Sequence, residues 1–132
     1  MKYPGLSFLI LAIFLLLFNG ISYAEEAGKI VFKLGKVTIT TAKGEKKSVR
    51  RGTKVNDGDI LETGKIGQAQ IRFQDGAFVS IRPKSKFTVE NYHYEKDPKK
   101  DTTTLSLAMG GFRAITGKIG KKNKENYKVK TL

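Results

Sequence analysis

The chain has no cysteine and no tryptophan, one histidine, three prolines, and only 12 acidic residues against 25 Lys and Arg. Without cysteine there is no disulfide framework, thiolate nucleophile, Cys-ligated zinc or acylated lipoprotein anchor. A single histidine, His93, excludes multi-histidine metal centres and leaves little material for a His-dependent triad. The shortage of acid leaves a net charge of +13 on 132 residues, a balance that ordinarily points to nucleic acid. The length fits one domain of typical size.

Long apolar runs are equally scarce. The single one, Leu6 to Phe18, is broken only by Ser7. A short positive start, Met1-Lys2-Tyr3-Pro4-Gly5, precedes it. Asn19-Gly20 then breaks it, and Ser22-Tyr23-Ala24 places small residues at −3 and −1 of a cleavage point before Glu25. Residues 1–24 thus have the three-part layout of a helical signal peptide, with an apolar stretch shorter than the ~20 residues of a spanning helix. Cleavage would leave residues 25–132 as one periplasmic or otherwise extracytoplasmic domain with no membrane span. The alternative is a retained anchor. Removing the leader takes away only Lys2, so +13 becomes +12. Outside the cytoplasm nucleic acid is not the expected partner. The charge is then read against anionic phospholipid, lipopolysaccharide, acidic wall polymers or an acidic protein face.

After residue 24, glycine punctuates the chain at 28, 35, 44, 52, 58, 64, 67 and 76. Between these marks lie short alternating segments: Val37 and Ile39; Ala69, Ile71 and Phe73; Ala77, Val79 and Ile81; Phe87 and Val89; Leu105 and Leu107; Tyr127 and Val129. Period-two alternation with frequent turns predicts an all-β domain of short antiparallel strands. No sustained helical stripe is present. Asp75-Gly76 suggests a two-residue hairpin turn, but that register pairs Arg72 with Val79 and mixes charge with core. A three-residue loop, Gln74-Asp75-Gly76, pairs Phe73 with Ala77, Ile71 with Val79 and Ala69 with Ile81. Because a one-residue slip inverts the faces, the three-residue loop is the expectation, with Gly76 left-handed at its end. Gly58, Asp59 and Gly64 mark further turns. Lys96 to Thr103 reads as the longest surface loop, and Gly120 to Glu125 as a solvated, lysine-rich connection.

Few residues suggest chemistry. His93, in Asn91-Tyr92-His93-Tyr94-Glu95, could be a ligand or a pH sensor, but no second His or Cys completes a site; it reads as a strand-end residue among aromatics. Asp57, Asp59 and Asp75 do not match a calcium loop and read as turn chemistry. Asp59 with Glu62, and Glu90 with Glu95, are the nearest carboxylate pairs, yet nothing predicts the cleft that glycosidic acid–base work requires. Two basic clusters remain: Lys43, Lys46, Lys47, Arg50, Arg51 and Lys54, and then Lys118, Lys121, Lys122, Lys124, Lys128 and Lys130. Either they form a solvated surface that guards strand edges, or they face an anion.

The order of motifs resembles the FecR-domain family, the extracytoplasmic domain named for the ferric-citrate transport regulator. The resemblance runs through Gly28-Lys29-Ile30-Val31, Gly35-Lys36-Val37, Gly52-Thr53-Lys54-Val55 and Gly58-Asp59-Ile60-Leu61-Glu62-Thr63-Gly64. It continues through Ala69 to Gly76, Ile81 to Val89, Gly110-Gly111-Phe112-Arg113-Ala114-Ile115-Thr116-Gly117, and Tyr127-Lys128-Val129-Lys130-Thr131. It implies an all-β extracytoplasmic module whose Gly-Asp and Asp-Gly elements are turns, with no catalytic residues and no cofactor. Sensor-type members carry a cytoplasmic segment before the apolar run, where this chain has five residues. Members also usually continue past the Tyr-x-Val-x-Thr strand into a further strand, so the resemblance implies a C-terminally short member: either a final strand is missing, leaving an open edge, or the member is truncated.

These readings lead to an exported, non-enzymatic binding or scaffolding domain in the cell envelope. Two alternatives stand beside it: a membrane-anchored component of envelope signalling of the iron-uptake type, and a polyanion binder acting through the basic clusters.

Overall fold

The computed structural model describes residues 24–131 together with Gly5, so the expected signal peptide lies almost wholly outside the described residues. The alternating segments form eleven short strands in two sheets. The first sheet contains β1 (Glu26–Leu34), β4 (Lys54–Asn56), β6 (Gln68–Phe73), β7 (Phe78–Ile81) and β10 (Phe112–Ile115), in the order β10-β7-β6-β1-β4. The second contains β2 (Val37–Thr40), β3 (Lys46–Ser48), β5 (Ile60–Thr63), β8 (Lys86–His93), β9 (Thr102–Met109) and β11 (Tyr127–Thr131), in the order β11-β9-β8-β5-β2-β3.

The apolar faces of the two sheets meet in one core. Ile30, Ile71 and Val79 come from the first sheet; Ile39, Leu61, Phe87 and Leu105 come from the second, all essentially inaccessible to water. Burying each such side chain contributes about 1.5–3 kcal/mol. Aromatic pairs lock the sheets together at two places: Phe73 with Tyr92 at 5.4 Å between ring centroids, and Phe87 edge-on to Phe112 at 5.1 Å.

The β6–β7 hairpin has the register that the core pattern demands. Ile71 pairs with Val79 and Ala69 with Ile81. Phe73 N–H donates to the Ala77 carbonyl at 2.9 Å, and Gly76 N–H to the Phe73 carbonyl at 3.1 Å. Gly76 sits at φ +86°, where a β-carbon would crowd its own carbonyl.

The connections sort into two kinds at the two ends of the sandwich. At one end, five connections cross from sheet to sheet: β3 to β4 at the edge, and beside it the four turns β1 to β2, β5 to β6, β7 to β8 and β9 to β10. They lie side by side, because strand order in the first sheet (β1-β6-β7-β10) mirrors that in the second (β2-β5-β8-β9). Backbone bonds tie neighbours together: Gly64 N–H to the Lys36 carbonyl (2.9 Å), Lys84 N–H to the Gly64 carbonyl (3.0 Å) and Arg82 N–H to the Gly111 carbonyl (2.9 Å). The other end holds the β2–β3, β6–β7 and β8–β9 hairpin loops and the β4–β5 crossing.

Four sequence expectations need correction. The solvated connection expected from Gly120 to Glu125 keeps its lysines exposed but is partly helical, with Gly120 buried: α1 (Lys118–Lys122) and a 3-10 turn (Lys124–Asn126) run through it. Ile119 is buried in the core there. One helical turn with one buried apolar residue has no period to detect. The strands are not uniformly antiparallel: β11 runs parallel to β9, because β10 and α1 carry the chain back to the end where β9 began. Val129 does not repeat the inward pattern and is 46% exposed on the edge strand. Finally, the surface loop ends at Asp101 rather than Thr103. Asp101 turns inward and buried to accept the Glu95 N–H at 2.7 Å, and β9 starts at Thr102.

Candidate functional site

The acidic turn residues converge on one buried tyrosine. Tyr92 lies near the end of β8 and is fully buried. Its backbone N–H donates to Asp57 Oδ1 at 2.9 Å, and its phenol O–H donates to Asp75 Oδ1 at 3.1 Å. The phenol oxygen also accepts the Asp75 N–H at 3.0 Å. Asp75 Oδ1 takes a further bond from Ala77 N–H (3.3 Å), and Oδ2 accepts the Ile119 N–H (3.1 Å). One carboxylate therefore fixes the β6–β7 loop, β8 and the start of α1 to each other. Burial, and secondarily the Asp75 charge, push the Tyr92 phenol well above the ordinary tyrosine range, so it stays protonated as a donor. Tyr127 is raised for the same two reasons, and its buried hydroxyl has no hydrogen-bond partner among the described residues.

The β4–β5 turn is used in the same way. Asp59 Oδ2 accepts the Asn56 N–H at 2.8 Å. Gly58 N–H donates to the Val89 carbonyl (2.8 Å), and Val89 N–H to the Asp59 carbonyl (3.0 Å). Gly58 takes φ +85°. Burial raises the Asp59 carboxyl above its usual range against the pull of the Asn56 bond and the Lys47 charge. Gly64 is a turn residue at the crossing end, bonded to Lys36 and Lys84. Gly58, Asp75 and Gly76 lie in the β4–β5 and β6–β7 turns, and Asp59 and Gly64 in the short connections on either side of β5. What the sequence did not reveal is that Asp75 is buried and reaches across to Tyr92 and Ile119, residues 17 and 44 positions away. Among the described residues, no group of three or more His, Cys, Asp or Glu side chains is arranged to hold a metal ion.

His93 stands between two carboxylates. Its Nδ1 lies 2.9 Å from Glu25 Oε2 and its Nε2 lies 3.2 Å from Glu95 Oε2. The Glu25 hydrogen bond is the main cause of an imidazole pKa raised above 6.5. The other Glu25 oxygen accepts the Tyr94 N–H at 3.2 Å, so Glu25 clips the start of the described domain to the end of β8. The partners come from far along the chain, and His93 alone gave no sign of them. Of the carboxylate pairs considered from sequence, neither works as a pair. Asp59 caps Asn56, whereas Glu62 pairs with Lys86 across β5 and β8. Glu90 bonds Lys130 at 3.2 Å, which lowers its pKa, and Glu95 faces His93 and Lys100.

The two basic clusters do not meet. Lys43, Lys46, Lys47, Arg50, Arg51 and Lys54 are exposed on the β2–β3 hairpin, β3, the β3–β4 connection and the start of β4. Lys118, Lys121, Lys122, Lys124, Lys128 and Lys130 are exposed on α1, the 3-10 turn and β11. Strands β3 and β11 are opposite edges of the second sheet, about 24 Å apart at ~4.8 Å per strand. Beside Lys43, a depression of about 710 Å³ lies between residues 41–43 and 56–59. Glu25, Glu45, Asp57 and Asp59 share its lining against Lys43 alone, which makes it an acidic depression rather than an anion site.

Comparison with known proteins adds three findings. Residues 59–132 match the FecR protein family. One solved structure, described as a cell surface anchoring domain, is 29% identical with a TM-score of 0.46. The match covers 47% of this chain and 82% of that one. A search of curated proteins finds no match.

Proposed function

The chain belongs to the FecR family, and on that premise we propose that it is an exported, non-enzymatic β domain that binds or scaffolds a partner at the cell envelope. The observation that carries this reading is the use made of the acidic turns. Asp75 spends both its oxygens on backbone N–H groups and the Tyr92 hydroxyl, and Asp57 and Asp59 each hold a backbone N–H with one oxygen. A carboxylate held this way positions loops, and is occupied where acid–base work would need it free. The polar interior thus serves the shape of the surface. Export is supported by the layout of residues 1–24.

The two basic clusters, set at opposite edges, would act as separate patches rather than one polyanion groove. The test is to express the full chain with a C-terminal tag, fractionate the cells and sequence the N-terminus. The expected product begins at Glu25 and is recovered outside the cytoplasm, cross-linked to a single partner in equal amount. A chain recovered from the membrane with residues 1–24 intact would support the anchored alternative instead. A cytoplasmic chain would overturn both.

A further inference from the structure

The end of the sandwich formed by the four crossing turns differs in chemistry from the rest of the surface. Of the 12 acidic residues, only Glu62 and Glu90 lie within strands away from the opposite end; the others occupy the turns, loops or strand starts there. The β1–β2, β5–β6, β7–β8 and β9–β10 turns carry no carboxylate, the nearest being Glu62 in β5, two residues before Gly64; Lys36, Lys65, Arg82 and Lys84 lie in these turns and Lys33 beside the first of them, near the end of β1, each exposed. None of these five is within salt-bridge distance of a carboxylate among the described residues. Three large aliphatic side chains project among them: Leu34 at 52% exposure, Ile66 at 73% and Met109 at 59%. The tips are contiguous. A β-carbon on Gly35 would touch the Ile66 carbonyl, and one on Gly110 would strike Ser85 and the Lys84 carbonyl. The row covers three strand spacings, about 14 Å.

Lys84 adds an independent sign. It follows Pro83 in a tight turn at φ +54°, a left-handed position that glycine fills most easily. Lys96 takes a similar conformation (φ +63°) in the β8–β9 loop at the other end; at Lys84 the strained site lies at the rim of an exposed apolar tip, where its charge can be used.

We propose that this end docks on the surface of an anionic phospholipid bilayer, with Leu34, Ile66 and Met109 entering the interface and the five cations facing lipid phosphates. Leu34, Ile66 and Met109 are each more than half exposed on or beside the turn tips, which suits a soft interface better than a protein pocket. Lysine stems can lie along the acyl boundary while their ammonium groups stay at phosphate level. Each basic group near an anionic surface strengthens binding about five-fold. The proposal rests on the envelope reading, and its test separates the two. Vesicle binding by a chain that is not exported would sink the envelope reading alone; export without vesicle binding would sink this one alone.

The experiment is sedimentation of the purified domain with vesicles of phosphatidylcholine, with and without phosphatidylglycerol. Binding is expected only with phosphatidylglycerol, weakening as salt shortens the screening length. Lys65→Ser and Lys84→Gly should each weaken it about five-fold. Lys84→Gly should also leave the melting temperature equal or higher, which separates lost docking from lost folding. Ile66→Ser should weaken vesicle binding by roughly tenfold through lost apolar burial, with retention on soluble poly-glutamate unchanged. Lys121→Ser with Lys122→Ser, at the other end, should leave vesicle binding within about two-fold. Equal binding to neutral vesicles, or no effect of Ile66→Ser, overturns the proposal; the second outcome assigns the end to generic anion contact.

Discussion

Replacing Asp75 by Asn tests the buried junction most sharply, because the substitution keeps the shape and changes only the donor pattern. Both carboxylate oxygens face donors: Oδ1 receives Tyr92 O–H and Ala77 N–H, and Oδ2 receives Ile119 N–H. An amide has one oxygen, so either orientation turns its NH2 toward a buried N–H or O–H. The variant loses at least one hydrogen bond to a charged acceptor, about 1.5–3 kcal/mol, and leaves a buried donor unpaired at about 1–3 kcal/mol. Some relaxation of α1 will offset part of this, giving an expected loss of about 2–4 kcal/mol. For a domain near this size, each kcal/mol shifts the melting temperature by about 4–8 °C. Urea unfolding followed by far-UV circular dichroism should therefore show a lower midpoint at unchanged slope. Tyr92→Phe removes the partner hydroxyl, and the double variant should cost less than the sum of the two, with a coupling of about 0.5–3 kcal/mol. As a control, Asp97→Asn alters an exposed cap on Lys99 N–H and should change stability by less than ~0.5 kcal/mol. An Asp75→Asn variant as stable as this control would refute the junction as described.

Two further outcomes follow from single residues. A Gly76→Val variant meets no steric neighbour, since nothing lies within 4 Å of a β-carbon there. Its cost is purely the left-handed backbone, at least ~1–2 kcal/mol, and a thermal melt at the wild-type temperature would disprove the three-residue loop. His93 makes stability depend on pH. Its folded pKa is raised above 6.5 by Glu25, so its contribution is complete below that value and fades as pH rises through the folded pKa. Denaturation midpoints compared at pH 6 and pH 8 should show wild type losing more stability than His93→Gln, with equal losses ruling the pair out. The effect will be small, because the imidazole is 39% exposed and solvent screens it.

The sequence made the strands legible because their inward faces are mostly apolar, Thr63 and Thr103 being buried exceptions. Ala69, Ile71 and Phe73 against Ala77, Val79 and Ile81 leave one workable register, and the structure adopts it. The turns were legible for the same reason, through glycine at Gly58 and Gly76. What stayed hidden depends on contacts between distant residues. Asp75 looked like any Asp before Gly, and its burial is set by Tyr92 and α1 closing over it. Ile119 has no helical partner at i+3 or i+4 that is also apolar, so α1 left no stripe. The basic clusters, Lys43 to Lys54 and Lys118 to Lys130, are dense along the chain, but only the fold shows that they lie at opposite edges. The unopposed cations of the crossing turns are spread over residues 33 to 84, and only the fold assembles them.

The alternation of the chain between sheets also bears on how the protein reaches its native state. Each crossing turn sends the chain from one wall of the core to the other, so the central strands of a sheet are distant in sequence. Strand β1 lies between β4 and β6, and β5 lies between β2 and β8. Few stable local units exist to build upon; the β6–β7 and β8–β9 hairpins are the main ones. Pairing across such separations must close long loops before burial compensates, which places folding in the millisecond-to-second range typical of β-sandwiches. Neither sheet can be completed before the other is largely in place, so the domain should assemble and come apart as one cooperative unit.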